Sequence, residues 1–410
     1  MTVFGMDVDT GTLLIPVFAG LIGYATNWLA IKMMFKPIDF AGWKMPFRIL
    51  GFPVFGWQGI IPSKAAKMGS IAVDTGLAKL GTMSEFYREL DPEELAAQIV
   101  KTSRSEIHSM IDDIIAREYP DLWAQLPLVL KQAVHSRIEA ELPDAVRRVT
   151  DEMGEHIDRL VDLKLMVIRH MEANPRLMNR IFLEVGAKEF RFIIRSGAVF
   201  GFVLGVIPML MWQFAPQWWT VPLGAAVVGY LTNWLALKVI FTPVNPVKIG
   251  PFTVQGLFLR RQAEVSDVYS GIIAHEVVTM SNIAAEMFHG PDGDRTYRLI
   301  ADTLRPIVDR TVGVARPMVR AATGSHYDAI QRNIAAGTVG HTIESLTDEE
   351  FVKGRAEKLH ALLAGRMREL PPEEFADMLR SAFREDEWQL IVVGAALGFL
   401  AGLLQLSTTL

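Results

Sequence analysis

Apolar stretches without charged residues alternate along the chain with amphipathic stretches. Asp, Glu, Lys and Arg are absent from residues 10–31, 196–237 and 388–410. A helix of about 20 apolar residues crosses the roughly 30 Å hydrocarbon core of a bilayer, so the outer stretches each predict one span and the middle stretch predicts two. The predicted transmembrane helices are residues 12–36, 196–214, 219–241 and 388–406.

The regions between the spans, residues 63–195 and 260–387, have the pattern of amphipathic helices, with apolar residues at intervals of three and four. Such helices usually pack together in a bundle; alternatively, they shield lipid acyl chains or lie on the membrane. The predicted fold class is an all-α membrane protein with helical domains between the spans. Four prolines are expected to divide the first region into separate helices: Pro120, Pro127, Pro143 and Pro175.

Two apolar segments follow the first and third spans, residues 37–62 and the shorter 242–259. Both are interrupted by glycine and proline, which makes a helix unfavourable, and Trp and Phe lie between the breakers in the first. We predict loops at the inner interface of the membrane. The alternative is a hydrophobic loop that the helical domain covers.

The chain contains an internal duplication. Residues 23–37 match residues 229–243 at ten of 15 positions, and Gln58-Gly59 recurs 197 residues later as Gln255-Gly256. Each copy is predicted to be a span, a helical domain and a second span. An even number of spans per copy predicts parallel repeats related by a pseudo-two-fold axis along the membrane normal. The alternative is that the duplication gives only a symmetric packing scaffold.

The first span of each copy has a face of small residues that includes one amide. Its predicted intramembrane polar residues are Thr26, Asn27, Thr232 and Asn233. An intramembrane Asn commonly hydrogen-bonds across a helix contact. The alternative is that Asn27 and Asn233 face each other across the repeat axis and line a polar path.

A second face of these spans carries two aromatic residues and a lysine at intervals of four. This arrangement suits the inner headgroup boundary, where a lysine reaches towards lipid phosphate. It indicates anchoring, with recognition of lipid headgroups as the alternative. The predicted interface residues are Tyr24, Trp28, Lys32, Tyr230, Trp234, Lys238, Arg260 and Arg261.

The second span of each copy has glycines at every fourth position, a pattern typical of close helix packing. They are expected to contact other spans or a second protomer. These glycines are Gly197, Gly201, Gly205, Gly394, Gly398 and Gly402.

Composition narrows the function classes. The absence of cysteine excludes disulfides, zinc–thiolate sites and iron–sulfur clusters, and a net charge of −5 argues against nucleic-acid binding. The nucleotide-binding, serine-hydrolase and zinc-protease motifs are absent. His275 is followed by Glu276 but not by a second histidine four residues on. We therefore expect no enzyme, cofactor or metal site.

The distribution of Lys and Arg predicts the orientation. They are absent before the first span, between the second and third, and after the fourth, whereas Lys32 and Lys238 lie at the opposite ends. Both termini, including residues 1–11, should therefore face outward, with residues 63–195 and 260–387 in the cytoplasm. The expected partners are membrane lipids, with anionic headgroups favoured; a homo-oligomer and a cytoplasmic protein partner stay open.

With Gly-Tyr-x-Thr-Asn-Trp-Leu-Ala-x-Lys in both copies and Gln58-Gly59-Ile60-Ile61-Pro62 after the first, the chain resembles a bacterial membrane family, domain of unknown function family 445 (YheB/YjiN-like). The resemblance covers nearly the whole chain. It implies a multi-pass protein of the bacterial inner membrane, without implying an activity. The second copy departs from it, since Gly256-Leu257-Phe258-Leu259 lacks the proline.

Two functions follow from these patterns. The favoured one is transport or lipid handling at the repeat axis, because of the intramembrane asparagines, the basic aromatic inner rim and the long amphipathic helices. The other is a membrane scaffold or tether that organises cytoplasmic partners through its helical domains.

Overall fold

The computed structural model of the protein describes residues 2–3, 6–7, 10–42, 48–49, 52–53, 56–103, 108–109, 112, 124, 127–214, 217–312, 349–385 and 387–409. It is mostly helical. The α-helices, in chain order, are α1 Thr10–Phe35, α2 Ile60–Ser63, α3 Ala65–Ala72, α4 Ala78–Leu80, α5 Met83–Glu89, α6 Pro92–Ser103, α7 Leu128–Leu160, α8 Leu163–Ala173, α9 Pro175–Val185, α10 Ala187–Leu204, α11 Val206–Phe214, α12 Thr220–Phe241, α13 Gln262–Ile272, α14 Met280–His289, α15 Gly293–Val312, α16 Glu349–Glu369, α17 Pro372–Arg384 and α18 Glu387–Thr409.

Shorter elements connect these helices. Single π-helical turns follow α3 at Val73–Leu77 and α13 at Ile273–Val277, and a 3₁₀ turn covers Leu259–Arg261. The strands form antiparallel pairs, β1 Thr2–Val3 with β2 Met6–Asp7, β3 Ala41–Gly42 with β6 Gly56–Trp57, β4 Arg48–Ile49 with β5 Phe52–Pro53, and β7 Val247–Ile249 with β8 Phe252–Val254.

Four helical segments are long and apolar enough to cross a membrane, as predicted. They are Leu14–Phe35, Ala187–Gln213, Thr220–Phe241 and Glu387–Leu406. The second begins nine residues before the predicted residue 196. Its first turns carry charged side chains such as Lys188 and Arg191, so the charge-free stretch marks only part of the helix.

Residues 1–77, 168–269 and 366–410 form the first of two compact units. In it, α1 packs mainly against α10, and α12 packs mainly against α18. Contacts of α1 with α18 and of α10 with α12 join the two helix pairs. Apolar side chains on the outside of these helices, such as Leu21 and Val199, are exposed, which fits helices surrounded by lipid.

The apolar segments after α1 and α12 contain short regular elements. The strand pair β7–β8 lies within residues 242–259, and β3 pairs with β6 within residues 37–62. The prediction that residues 37–62 contain no helix is corrected at its end, where α2 begins at Ile60. Glycine and proline make a long helix unfavourable here, but they permit short hairpins in which only a few residues are ordered.

Residues 78–167 and 270–365 form the second unit, which combines residues from both predicted helical domains. The helices α5, α6 and α15 pack on the 33-residue helix α7. Pro143 lies inside α7 and does not divide it as predicted. Packing of buried residues such as Met153 and Ile157 on the same helix outweighs the lost backbone hydrogen bond. Pro120 lies outside the described residues.

Candidate functional site

The contact between α1 and α10 is built around Asn27. Its side-chain Nδ2 donates a hydrogen bond to the backbone carbonyl of Ile193, at 2.8 Å, and the side chain is 1 % exposed. Gly197 lies one turn further along α10. A Cβ on Gly197 would lie 2.5 Å from Asn27 Nδ2 and 2.5 Å from the carbonyl oxygen of Gly23. The absence of a side chain there therefore lets the amide reach the neighbouring backbone.

The contact between α12 and α18 has the same construction. Asn233 is fully buried, and its Nδ2 donates to the backbone carbonyl of Leu390 at 2.9 Å. A Cβ on Gly394 would lie 2.1 Å from that nitrogen. Each asparagine thus binds the helix beside it.

The amide oxygens of the two asparagines differ from their nitrogens in hydrogen bonding. Within the described part of the chain, neither Asn27 Oδ1 nor Asn233 Oδ1 has a hydrogen-bond partner. The hydroxyl groups of the neighbouring threonines do not donate to these oxygens. Thr26 donates to the carbonyl of Ile22 at 2.8 Å, and Thr232 donates to that of Gly229 at 3.1 Å, both within their own helices.

The remaining predicted packing glycines lie against backbone or small side chains of α1 or α12. A Cβ on Gly201 would lie 2.5 Å from the carbonyl oxygen of Ala19, and one on Gly398 would lie 2.5 Å from that of Ala225. A Cβ on Gly205 would lie 2.6 Å from the Cβ of Ala19 and 2.9 Å from the Cα of Pro16. One on Gly402 would lie 3.0 Å from the Cβ of Ala225 and 2.7 Å from the Cα of Pro222. The helices of each pair therefore approach at backbone distance.

A narrow cavity of about 10 Å³ remains between the bundle helices. A single water needs roughly 10–15 Å³ by the same measure. The cavity is mainly apolar, and the polar side chains on its wall are those of Thr26 and Gln405. Representative residues of its lining are Ile15, Thr26, Pro208, Val221, Val228 and Gln405.

The predicted aromatic and lysine face lies on the outside of α1 and α12. Tyr24 and Trp28 are each 47 % exposed. The ammonium of Lys32 lies 4.8 Å from the ring centre of Trp28, within the range of a cation–π interaction. Tyr230, Trp234 and Lys238 repeat this arrangement, again with 4.8 Å between the ammonium and the indole ring.

Arg261, one of the predicted interface residues, is paired with two carboxylates of the same unit. Its Nη1 donates to both carboxylate oxygens of Glu189, at 2.7 and 2.8 Å, and both side chains are largely buried. A second carboxylate, that of Glu264, also binds the guanidinium. A desolvated arginine needs such partners. Arg260, by contrast, is exposed.

Glu264 connects two cations. It accepts hydrogen bonds from Arg261 and from Lys188, whose Nζ lies 2.7 Å away. These two bonds lower the pKa of the Glu264 carboxyl from 4.5 to about 2. A further ion pair joins Lys67 to Glu385. The sequence patterns missed the Lys188–Glu264 and Lys67–Glu385 pairs because their partners lie 76 and 318 residues apart along the chain.

The turns after α1 and α12 are held by matching contacts. Gln58 donates from its side chain to the carbonyl of Ile38 at 2.8 Å, and Gln255 donates to that of Val244 at 3.0 Å. The backbone N–H of Gly59 donates to the Pro37 carbonyl, and that of Gly256 donates to the Pro243 carbonyl, each at 2.9 Å. The Gln-Gly pairs in the sequence therefore fix the chain reversal after α1 and after α12.

Several cyanobacterial membrane proteins, each designated a UPF0754 membrane protein, are similar to parts of this chain. The match in Synechococcus elongatus is 32% identical over 97 residues, 23% of this chain and 20% of that protein. In Thermosynechococcus vestitus it is 30% identical over 185 residues, 40% and 42% of the two chains. In Nostoc sp. it is 26% identical over 178 residues, 42% and 39% of the two chains.

The chain thus spans about a fifth to two fifths of the length of these relatives. No family model matches it, and no solved structure matches it. The relatives are named as membrane proteins and the chain has four apolar helices of spanning length, so it is a membrane protein. The narrower resemblance to domain of unknown function family 445 is not confirmed by these matches.

Proposed function

We propose that this protein is a scaffold of the bacterial inner membrane, in which a closed four-helix anchor holds helical domains at the cytoplasmic face. The observation that carries the proposal is the hydrogen bonding of the two asparagines in the apolar helices. The side-chain amides of Asn27 and Asn233 each donate to a backbone carbonyl of an adjacent helix, as in residues that hold transmembrane helices together.

The size of the central cavity supports a closed anchor. At about 10 Å³ it accommodates about one water molecule. A hydrated ion, a polar solute or an acyl chain needs a far larger opening. Opening such a path would require separating helix pairs that touch through glycines such as Gly197 and Gly394.

We further propose that the anchor consists of two parallel repeats. The asparagine–carbonyl bonds support this, because Asn27 and Asn233 occupy matching sequence positions and bind Ile193 and Leu390, which also match: 193 + 197 = 390. The equivalent Gln-Gly turns after the first and third spans add independent support.

The ion pairs between the copies favour the pairing of unlike repeats. At the offset of 197, Lys67 corresponds to Glu264 (67 + 197 = 264) and Lys188 corresponds to Glu385 (188 + 197 = 385). The observed pairs, Lys67–Glu385 and Lys188–Glu264, are therefore equivalent with their charges reversed. A pairing of two first copies would bring Lys67 against Lys188, and the repulsion between like charges disfavours that pairing.

The orientation follows from the basic residues at one end of the spans. Lys32 and Lys238 lie there, on faces whose aromatic residues are exposed to the surroundings of the bundle. Because Lys and Arg are enriched on the cytoplasmic side, we place both termini outside. Anionic headgroups of the inner leaflet are the partners that suit these lysines.

A second function, lipid handling or transport at the repeat axis, is favoured by one observation. The oxygens of the two asparagine amides have no partner within the described residues, and a buried acceptor without a partner costs about 1–3 kcal/mol. A transient ligand would be able to satisfy them.

Mass spectrometry of the lipids retained by the detergent-purified protein separates the two functions. The wild type is compared with the double variant Asn27→Leu/Asn233→Leu. A scaffold retains the same bulk membrane lipids in both samples. Stoichiometric retention of one lipid species by the wild type and its loss in the double variant would replace the scaffold with lipid handling.

A further inference from the structure

A short hairpin in the first unit has one apolar face and one polar face. In the antiparallel pair β7–β8, Val247 lies opposite Val254, and the central pair is Lys248 with Thr253. Residues that lie opposite each other share a face, and successive residues of a strand alternate between faces. Val247, Phe252 and Val254 therefore lie on the same face. Lys248 and Thr253 lie on the other.

The apolar face of the hairpin is exposed. Phe252 is 72 % exposed, and Val247 and Val254 are 46 % and 40 % exposed. A two-stranded hairpin in water is at best marginally stable unless its apolar face packs against something. Neighbouring exposed apolar side chains on an ordered element often mark a contact with a protein or a membrane. The hairpin therefore has a face that calls for a partner.

The hairpin is fixed at the end of α12. The backbone N–H of Leu257, shortly after β8, donates to the carbonyl of Val239 at 3.3 Å, and that of Phe258 donates to the carbonyl of Ile240 at 3.1 Å. Phe258 is buried, and its ring stacks on that of Phe375, with 5.6 Å between the ring centres. The apolar face is thus held close to the last turn of an apolar helix of spanning length.

The turn of the hairpin suits an apolar environment. It consists of Gly250 and Pro251, neither of which has a polar side chain. Gly250 has a φ of +59°, a conformation that residues with a side chain rarely adopt. Pro251 has no backbone N–H. This turn therefore takes one hydrogen-bond donor fewer out of water than a turn without proline.

The charges around the hairpin are all positive. Residues 242–263 contain one lysine and two arginines but no Asp or Glu. Lys248 and Arg260 are exposed. Basic residues close to a membrane surface are attracted by anionic headgroups. An anionic lipid surface therefore matches both the apolar face and the charges beside it. The exposed face of α12 that carries Trp234 and Lys238 continues towards the same end.

We propose that the β7–β8 hairpin inserts its apolar face into the inner leaflet, at the boundary between anionic headgroups and acyl chains. This proposal rests on the proposed orientation, which places the end of α12 at the cytoplasmic side. Amphipathic helices that lie in a membrane surface bury their apolar face about 5–10 Å deep. A three-residue strand extends about 10 Å, so the hairpin has a length that fits this layer.

The inserted hairpin would give the protein a shallow lipid contact in addition to its spans. The side-chain amide of Asn245, just before β7, donates to the carboxylate of Glu373 on α17. Insertion of the hairpin would therefore hold α17 near the membrane surface as well. The sequence predicts only a loop at the inner interface; the strand register identifies Val247, Phe252 and Val254 as the side chains that enter lipid.

Single labels on the two faces of the hairpin test the insertion, because the chain has no cysteine. Phe252→Cys and Thr253→Cys are labelled with a nitrobenzoxadiazole dye and reconstituted in vesicles of phosphatidylglycerol and phosphatidylethanolamine with nitroxide-labelled acyl chains. At residue 252 we expect blue-shifted emission, strong quenching by the nitroxide lipid and little quenching by aqueous iodide. Thr253→Cys is the matched control on the opposite face and should show strong quenching by iodide.

Equal iodide quenching at the two positions would overturn the proposal, since the apolar face would then lie in water. A label at residue 252 that neither quencher reaches would also overturn it, because a protein surface such as a second copy of the chain would then cover the hairpin. Thermal unfolding in detergent should be alike for both variants and the wild type, since both side chains are exposed.

The quenching experiment fails independently of the proposed function. A reversed orientation, or an open anchor, would leave the lipid quenching at residue 252 unchanged. The lipid-retention comparison with Asn27→Leu/Asn233→Leu tests the anchor without altering the hairpin. A second variant tests the charges: Lys248→Gln should weaken lipid quenching at residue 252 in vesicles that contain phosphatidylglycerol. The same loss in vesicles of phosphatidylcholine alone would contradict a role for anionic headgroups.

Discussion

Asn27 donates a hydrogen bond from its side-chain amide to the backbone carbonyl of Ile193, 2.8 Å away on the adjacent apolar helix. The bond is possible because Gly197, one turn further on, leaves space for the amide. In a membrane, lipid tails are as apolar as leucine, so close packing and such interhelical bonds hold helices together. The same relationship between Asn233 and Leu390 joins the other helix pair.

Adding a methyl group at Gly197 or Gly394 should separate the two helices that meet there. For Gly197→Ala, the new Cβ would lie 2.5 Å from backbone and amide atoms, so we expect a loss of about 1–3 kcal/mol in unfolding free energy. Denaturant unfolding in detergent micelles measures it. Gly354→Ala is the matched control, because a Cβ there meets no atom within 4 Å. Equal stability of the two variants would contradict the packing role.

Removing Arg261 should destabilise the first unit strongly. Arg261→Leu leaves the largely buried carboxylate of Glu189 without its cation, a change that typically costs about 3–5 kcal/mol. Adding Glu189→Leu should restore much of the loss, since no buried charge then stays unpaired. Thermal unfolding of the two variants checks both results, and a double variant less stable than the single one would count against this assignment.

The contribution of Glu264 to stability should depend on pH. Hydrogen bonds from Arg261 and Lys188 lower its pKa from 4.5 to about 2. A lowered carboxyl pKa stabilises the folded state above pH 4.5, and this stabilisation disappears as the pH falls towards 2. The stability difference between wild type and Glu264→Gln, measured by unfolding from pH 7 to pH 2, should therefore shrink across this window. A difference that does not vary with pH would be inconsistent with these ion pairs.

In the proposed orientation, Lys32 and Lys238 should select anionic lipids. A lysine at the surface of an anionic leaflet contributes about 1 kcal/mol to the attraction of anionic lipid. Lys32→Gln and Lys238→Gln should therefore each lower the affinity for an anionic lipid at the substituted position about fivefold, and with it the anionic fraction of the retained lipid. Lipid mass spectrometry of purified samples measures the fraction. Lys353→Gln, on an exposed face of the second unit, is the control and should leave the lipid profile unchanged.

The sequence predicted the parts of the fold that depend on local pattern. The four apolar helices follow from charge-free length. In the structure, a Cβ added at Gly197 or Gly394 would meet backbone and amide atoms of the adjacent helix. The hydrogen-bond partners of the buried polar side chains could not be predicted from the local pattern. Asn27 and Asn233 bind backbone carbonyls, which have no signature in side-chain pattern.

Long-range ionic and aromatic contacts were also beyond the sequence pattern. Arg261 follows an apolar segment, as a headgroup residue would, yet Glu189 lies 72 residues before it and meets it in space. His275 and His360 come together only through the packing of α16 near the π-turn. Such pairs depend on tertiary contacts, which single-chain periodicity does not encode.

Thiol accessibility tests the closed anchor most directly, because the chain has no cysteine of its own. Thr26→Cys and Val228→Cys, made singly, place a thiol on the wall of the central cavity. In reconstituted vesicles, a small charged methanethiosulfonate should leave both unmodified while Gly354→Cys reacts fully, and all three should react after denaturation. Modification of the cavity thiols in the folded protein at the rate of Gly354→Cys would show an aqueous path and contradict the scaffold.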